Sequence, residues 1–135
     1  MKEPSIHIDD LVSTFFDAFD NRGGRVPDFD AFRLAFAEGA VIGKRSSDGV
    51  ELWSLQDFWE PRSALLTSGK LMDFHEWETE STTTILDGVA VRSCTYQKEG
   101  LLDGLPYRGE GTKCFQFALT RGGWCITHVL WEDRE

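Results

Sequence analysis

Gly109-Glu110-Gly111-Thr112-Lys113-Cys114-Phe115-Gln116-Phe117, followed through Arg121-Gly122-Gly123 by Trp124-Cys125-Ile126-Thr127-His128-Val129-Leu130-Trp131, is the stretch on which the fold turns. Two apolar runs joined at paired glycines read as a hairpin, because glycine accepts the positive φ that tight turns demand. Immediately upstream, residues 71–86 and 89–99 flank Asp87-Gly88. Asp-Gly between β-branched runs is a second hairpin signal, so four long strands are expected, with a glycine-rich loop between the two hairpins.

The first half of the chain has the other period. Leu11, Val12, Phe15, Phe16 and Phe19 recur on one helical face; Asp9 or Asp10 is expected to cap this helix and Gly23-Gly24 to end it. A shorter helix follows Pro27, with Asp28 near its start and Phe29, Phe32 and Phe36 along one side. Residues 40–43 and 50–53 read as two short strands around a polar turn. A third helix follows, capped by Ser54 with Asp57 at its third position and loosened by Pro61. Helices followed by an antiparallel meander predict an α+β fold, with the phenylalanines plugging the sheet.

The chain has 135 residues, enough for one domain over residues 1–135. A net charge of −9 argues against nucleic acid and anionic membrane as partners. With no run of eighteen apolar residues and no apolar leader at the start, a cytoplasmic protein is expected. Cys94, Cys114 and Cys125 lie in expected strands without CxxC spacing. They read as free thiols, and neither a metal nor a cofactor is expected.

The order of elements, the run Leu34-Ala35-Phe36-Ala37-Glu38-Gly39-Ala40-Val41-Ile42 and the closing Gly123-Trp124-Cys125-Ile126 together resemble the nuclear transport factor 2-like superfamily. This is the SnoaL-like or ketosteroid isomerase-like cone, a cystatin-like curved antiparallel sheet wrapped around N-terminal helices. The resemblance implies a ligand cavity between sheet and helices and a homodimer through the outer sheet face. The fold hosts isomerases, cyclases, dehydratases and non-catalytic dimers, so activity must come from the site.

A two-residue turn at Asp87-Gly88 sets Ile85 opposite Ala90 and, by alternation, places Ala90, Arg92, Cys94 and Tyr96 on one face with Thr83, Ser81, Thr79, Trp77 and His75. A single β-bulge would swap part of that face. Glu76, Glu78 and Glu80 fall on the opposite face, toward solvent or a dimer rim. In the closing strands, matching to the isomerase pattern turns Lys113, Phe115, Phe117 and Leu119 inward with Thr127, Val129 and Trp131. His128, Trp124, Ile126 and Leu130 face outward.

Trp77, Arg92, Tyr96, Phe115 and Trp131 are therefore the expected ligand-binding residues. Arg92 either pairs with a carboxylate, with Asp17 as one option, or clamps an anion or carbonyl. His75, Glu78 and Tyr96 are the candidates for catalysis. The isomerase chemistry is not carried over: Lys44 stands where its base would be, Phe115 where its acid would be, and Phe15 or Phe16 in place of its tyrosine. Val129-Leu130-Trp131 lacks the acid and base of the cyclase-like branch. Only Tyr96 and Tyr107 are present to serve a dehydratase-like site.

The leading expectation is a dimeric cone with an aromatic-lined cavity for a small hydrophobic molecule. The rivals are a cofactor-independent isomerase, cyclase or dehydratase acting on a small hydrophobic carbonyl compound, and a non-catalytic association module with its cavity filled.

Overall fold

A computed structural model describes residues 4–134, with side chains from His7 onward. Helix α1 (Pro4–Asp17) presents Ile8, Val12, Phe15 and Phe16 to the core, where each is at most 4% exposed. Asp9 and Asp10 lie inside this helix rather than at its cap, because it already starts at Pro4, whose fixed φ suits a first helical position. The helix also stops before Gly23-Gly24. Asn21 explains the early stop: its side-chain amide donates to the carbonyls of Leu66 (2.9 Å) and Leu71 (2.8 Å), and its carbonyl accepts from the Phe74 amide at 2.7 Å. That side chain ties three segments together, and the Asn21 backbone amide donates to the Phe74 carbonyl at 3.0 Å instead of back along a helix.

Helix α2 (Phe29–Arg33) is capped by Asp28, whose carboxylate accepts from the Ala31 amide. Helix α3 (Leu55–Thr67) is capped by Ser54, which accepts from the Asp57 amide, and holds Pro61 within it. No described helix is long and apolar enough to cross a membrane.

Strands β1 (Phe36–Ser46) and β2 (Gly49–Trp53) form the first hairpin. Strands β3 (Leu71–Leu86), β4 (Val89–Leu102), β5 (Leu105–Thr120) and β6 (Gly123–Arg134) form the meander. The six strands make one sheet in the order β2-β1-β6-β5-β4-β3, in which a parallel β1–β6 pairing joins the first hairpin to the meander. The glycine-rich loop expected between the hairpins is instead paired strand, with Asp103-Gly104 as its turn, both at positive φ.

Four irregularities shape the cone, one of them between Phe36 and Val41 in the β1–β6 pairing. The β3–β4 register shifts between Met72 and His75 and again between Glu78 and Glu80, and the β5–β6 register shifts between Gln116 and Phe117. Such bulges bend a strand and turn the side chains beyond them to the other face. The concave face is filled by α1 and α2 through a cluster of phenylalanines. Phe15 meets Phe115 edge-on at 5.3 Å between ring centroids, and Phe32 lies 4.8 Å from both Phe36 and Trp59.

Candidate functional site

Near the Asp87-Gly88 turn the pairs are Ile85–Ala90, Thr83–Arg92 and Ser81–Cys94, as alternation requires. Past the bulge at Thr79, Glu78 faces Tyr96 and Glu76 faces Lys98. This corrects the expected inner face: Glu76 and Glu78 turn inward, and Trp77 and His75 turn outward, where their rings stack at 4.5 Å. The β5–β6 bulge has the same effect on Trp124 and Ile126, which are buried rather than outward. Thr127 leaves the inner face and donates its hydroxyl to the Gln116 carbonyl. Leu119, at the end of its strand, is exposed.

Beneath α3 the sheet leaves a cavity of about 430 Å³, within the range of small-molecule sites. Its apolar wall comes from Phe15 of α1, Phe19 in the turn that follows it, Phe58 and Leu66 of α3, and Leu71 and Phe74 of β3. Trp131 of β6 and Tyr107 of β5 complete it. Six charged side chains also reach it: Lys44, Arg62, Glu76, Lys98, Lys113 and Asp133.

Two missing side chains build the polar floor. Gly109 and Gly111 pair with Lys98 and Tyr96 across β4–β5. A Cβ on Gly111 would collide with the Tyr96 hydroxyl and the Glu132 carbonyl, and one on Gly109 would sit 2.6 Å from Lys98 Cε. Tyr96 and Lys98 therefore cross over β5 to Asp133 on β6. The Tyr96 hydroxyl donates to Asp133 Oδ1, Lys98 Nζ reaches the same oxygen at 3.2 Å, and Lys44 Nζ lies 3.3 Å from Oδ2. Beside this cluster Lys113 pairs with Glu76 at 2.8 Å, its ammonium 3.9 Å from the centroid of the Tyr96 ring.

Burial alone would raise the Asp133 carboxyl. The Tyr96 hydroxyl and the neighbouring lysines outweigh it and hold the group at about 2. Burial, then the Asp133 carboxylate, push the Tyr96 hydroxyl far above its ordinary range. Burial draws Lys98 down, but Asp133 more than offsets it, and the ammonium ends above its ordinary value. Around neutral pH Asp133 is thus ionised and Tyr96 protonated. A carboxylate held this low is a weak proton acceptor.

Arg62 differs from the other cations. It donates to the Phe58 carbonyl at 2.9 Å and lies over aromatic rings, 3.9 Å from the centroid of Phe58, 5.1 Å from Trp53 and 5.3 Å from Trp131. Among the described residues no carboxylate is within salt-bridge distance of it. Burial lowers its pKa, with Glu76, Asp133 and Glu51 acting as more distant counter-charges.

Of the expected ligand-binding residues, Trp131 lines the cavity. Tyr96 lies under its floor, bonded to Asp133, and Phe115 is fully buried in the phenylalanine cluster behind it. Trp77 is on the outer face. Arg92 is buried away from the cavity. It pairs with Asp9 of α1 at 2.5 Å and with Glu78, and its Nε donates to Glu78 at 3.0 Å. The carboxylate option is the one realised, with Asp9 in place of Asp17. Burial lowers the Arg92 pKa, and the bonds to Glu78 and Asp9 more than restore it. Of the catalytic candidates, His75 sits outside beside Glu99 at 3.2 Å and Glu78 is held by Arg92. Neither reaches the cavity.

Sequence reasoning missed Glu76, Lys98, Asp133 and Arg62. The spacing Gly109-x-Gly111 on an inward face was the available signal for Lys98 and Asp133, since two gaps two residues apart leave room for neighbouring side chains to cross. Among the described residues, no group of three or more His, Cys, Asp or Glu is placed to hold a metal ion.

No protein-family model matches the chain, and no curated protein matches it. Solved structures do. A nuclear transport factor 2-like superfamily protein from Salmonella enterica serovar Typhimurium superimposes with a TM-score of 0.74 at 13% identity, covering 93% of this chain and 87% of that one. A proposed aromatic ring hydroxylase from Novosphingobium aromaticivorans gives 0.74 at 18% identity, covering 96% and 87%. A proposed calcium/calmodulin-dependent protein kinase II association domain from Xanthomonas campestris gives 0.73 at 16% identity, covering 98% and 89%. The chain has the cystatin-like cone fold of nuclear transport factor 2-like proteins. A fold shared by proteins described so differently does not fix an activity.

Proposed function

We propose that this protein binds a small, largely apolar molecule inside the cone, with α3 as the cover and Trp131 as the central wall. The observation that carries this reading is the cavity of about 430 Å³, left open although phenylalanines fill the adjoining concave face. An association module packed with its own side chains would have no such space. The geometry favours binding over isomerase, cyclase or dehydratase chemistry, because His75 and Glu78 are outside the cavity and the Tyr96 hydroxyl is already engaged by Asp133.

The test is to fill the space. Leu66→Trp, directed into the cavity from α3, should abolish uptake of apolar probes monitored through tryptophan fluorescence while the protein remains folded. Unchanged uptake in a folded variant would refute the reading.

The same proposal includes a homodimer through the outer face of the sheet, where Leu52, Val89, Val91 and Leu130 are all exposed. A second copy of that face would cover them. Light scattering should report a dimer for the wild type and a monomer for Leu130→Glu; a monomeric wild type at its highest soluble concentration would remove this part. A cytoplasmic location is proposed on the three free cysteines, since oxidising compartments favour disulfides. The net charge of −9 keeps nucleic acid and anionic membrane outside the proposal.

A further inference from the structure

The charges around the cavity do not balance. Lys44, Arg62, Lys98 and Lys113 face only two carboxylates, Glu76 and Asp133, in a chain whose overall charge is −9. Both carboxylates are already engaged, Glu76 by Lys113 and Asp133 by Lys98, Lys44 and the Tyr96 hydroxyl. Two positive charges are left over in an otherwise apolar space, where an unmatched charge is costly.

The surplus has a place. Three of the four cations surround one indole: Lys113 is 5.1 Å, Arg62 5.3 Å and Lys44 6.0 Å from the Trp131 ring centroid. Lys113 is tied to Glu76 and is only 5% exposed, whereas Lys44 is 35% exposed and shares Asp133 with Lys98. Among the described residues Arg62 makes one hydrogen bond, to the Phe58 carbonyl, although a guanidinium carries five N–H donors in a planar fork. Rings on Phe58, Trp53 and Trp131 hold that fork in place, which leaves its remaining donors set for a carboxylate. Away from Arg62, the wall formed by Phe19, Leu71 and Phe74 is apolar.

Resting on the binding reading above, we propose that the ligand is an organic acid: a carboxylate seated on Arg62, assisted by Lys44, with a flat or aliphatic apolar body against Trp131 and the wall formed by Phe19, Leu71 and Phe74. A carboxylate fits better than a polyanion. It neutralises the surplus without bringing further charge into a mostly apolar space, and it matches the planar fork in bidentate geometry.

Matched pairs test this: benzoate and benzamide, 2-naphthoate and 2-naphthamide, octanoate and octanamide, titrated calorimetrically near neutral pH. At least one acid should bind about tenfold or more tighter than its amide, the scale of one charge-assisted hydrogen bond. Arg62→Met should erase that gap, weakening the acid far more than its amide, and Lys44→Met should narrow it. Arg62→Lys, which keeps the charge and loses the fork, should fall between and serves if the methionine variant does not fold. Equal binding of acids and amides, or a preference for amides, overturns the anion assignment and leaves the binding reading standing. Failure of every probe overturns both.

Discussion

Replacing Arg92 with leucine separates a structural arginine from a ligand clamp. The guanidinium is 7% exposed and is shared between Glu78, 20% exposed, and Asp9, 62% exposed. Removing one partner of a buried pair costs about 3–5 kcal/mol, chiefly because the other charge is left without compensation. Glu78 keeps some access to water and leucine restores apolar contact, so the lower end applies, about 3 kcal/mol. For a chain of this length that corresponds to a fall in Tm of roughly 10 °C. Asp9→Asn removes the solvent-facing arm, so it should cost no more than about 1 kcal/mol. Pairing Arg92→Leu with Glu78→Leu should recover part of the loss, because no charge is then stranded. Urea denaturation of the three variants measures each value. A loss below about 1 kcal/mol for Arg92→Leu, accompanied by loss of probe binding, would refute the structural assignment.

Gly111→Ala should destabilise by about 2 kcal/mol or more, since its methyl group would collide with the Tyr96 hydroxyl and the Glu132 carbonyl; a variant with an unchanged urea midpoint would contradict the crossing geometry. The Asp133 carboxyl has a depressed pKa in the folded state, so its contribution is fully present above the ordinary value of 3.8 and is lost as pH falls through about 2. After allowance for partial solvent access that contribution is at most about 2 kcal/mol, and Asp133→Asn should flatten the stability profile between roughly pH 4 and 2. An equally steep profile in the variant would show the carboxylate to be dispensable. Burial, reinforced by Glu78, pushes the Cys94 thiol up to about 12, whereas Cys114 is exposed. A disulfide reagent should therefore modify Cys114 first and Cys94 only on unfolding; rapid modification of Cys94 in the native protein would place it wrongly.

Local rules located most of the architecture. Ser54 caps the helix it was expected to cap, Asp28 stands at the start of its helix as expected and caps it, and the Asp87-Gly88 turn sets the neighbouring pairs from Leu86–Val89 to Ser81–Cys94. Alternation fails beyond Thr79 because a bulge depends on how the whole sheet curves, and nothing in Trp77-Glu78-Thr79-Glu80 marks where the extra residue goes. That one residue exchanged Trp77 for Glu76 and Glu78 on the inner face. Asp103-Gly104 carries the same dipeptide as Asp87-Gly88, but it is flanked by leucines, proline and glycines instead of β-branched residues, and it read as loop. Arg62 was invisible for a different reason. Its importance lies in meeting Trp53 and Trp131, the latter from the last strand, and no local pattern records where a helix settles over a sheet.

A crystal structure of the protein with 2-naphthoate tests the central claim most directly. The account predicts the ring system beneath α3 against Trp131, with a carboxylate oxygen about 2.7–2.9 Å from an Arg62 nitrogen and the lysine pairs to Glu76 and Asp133 retained. A cavity closed by Trp131 and the α1 phenylalanines, or naphthoate found only on the outer face of the sheet, would contradict it.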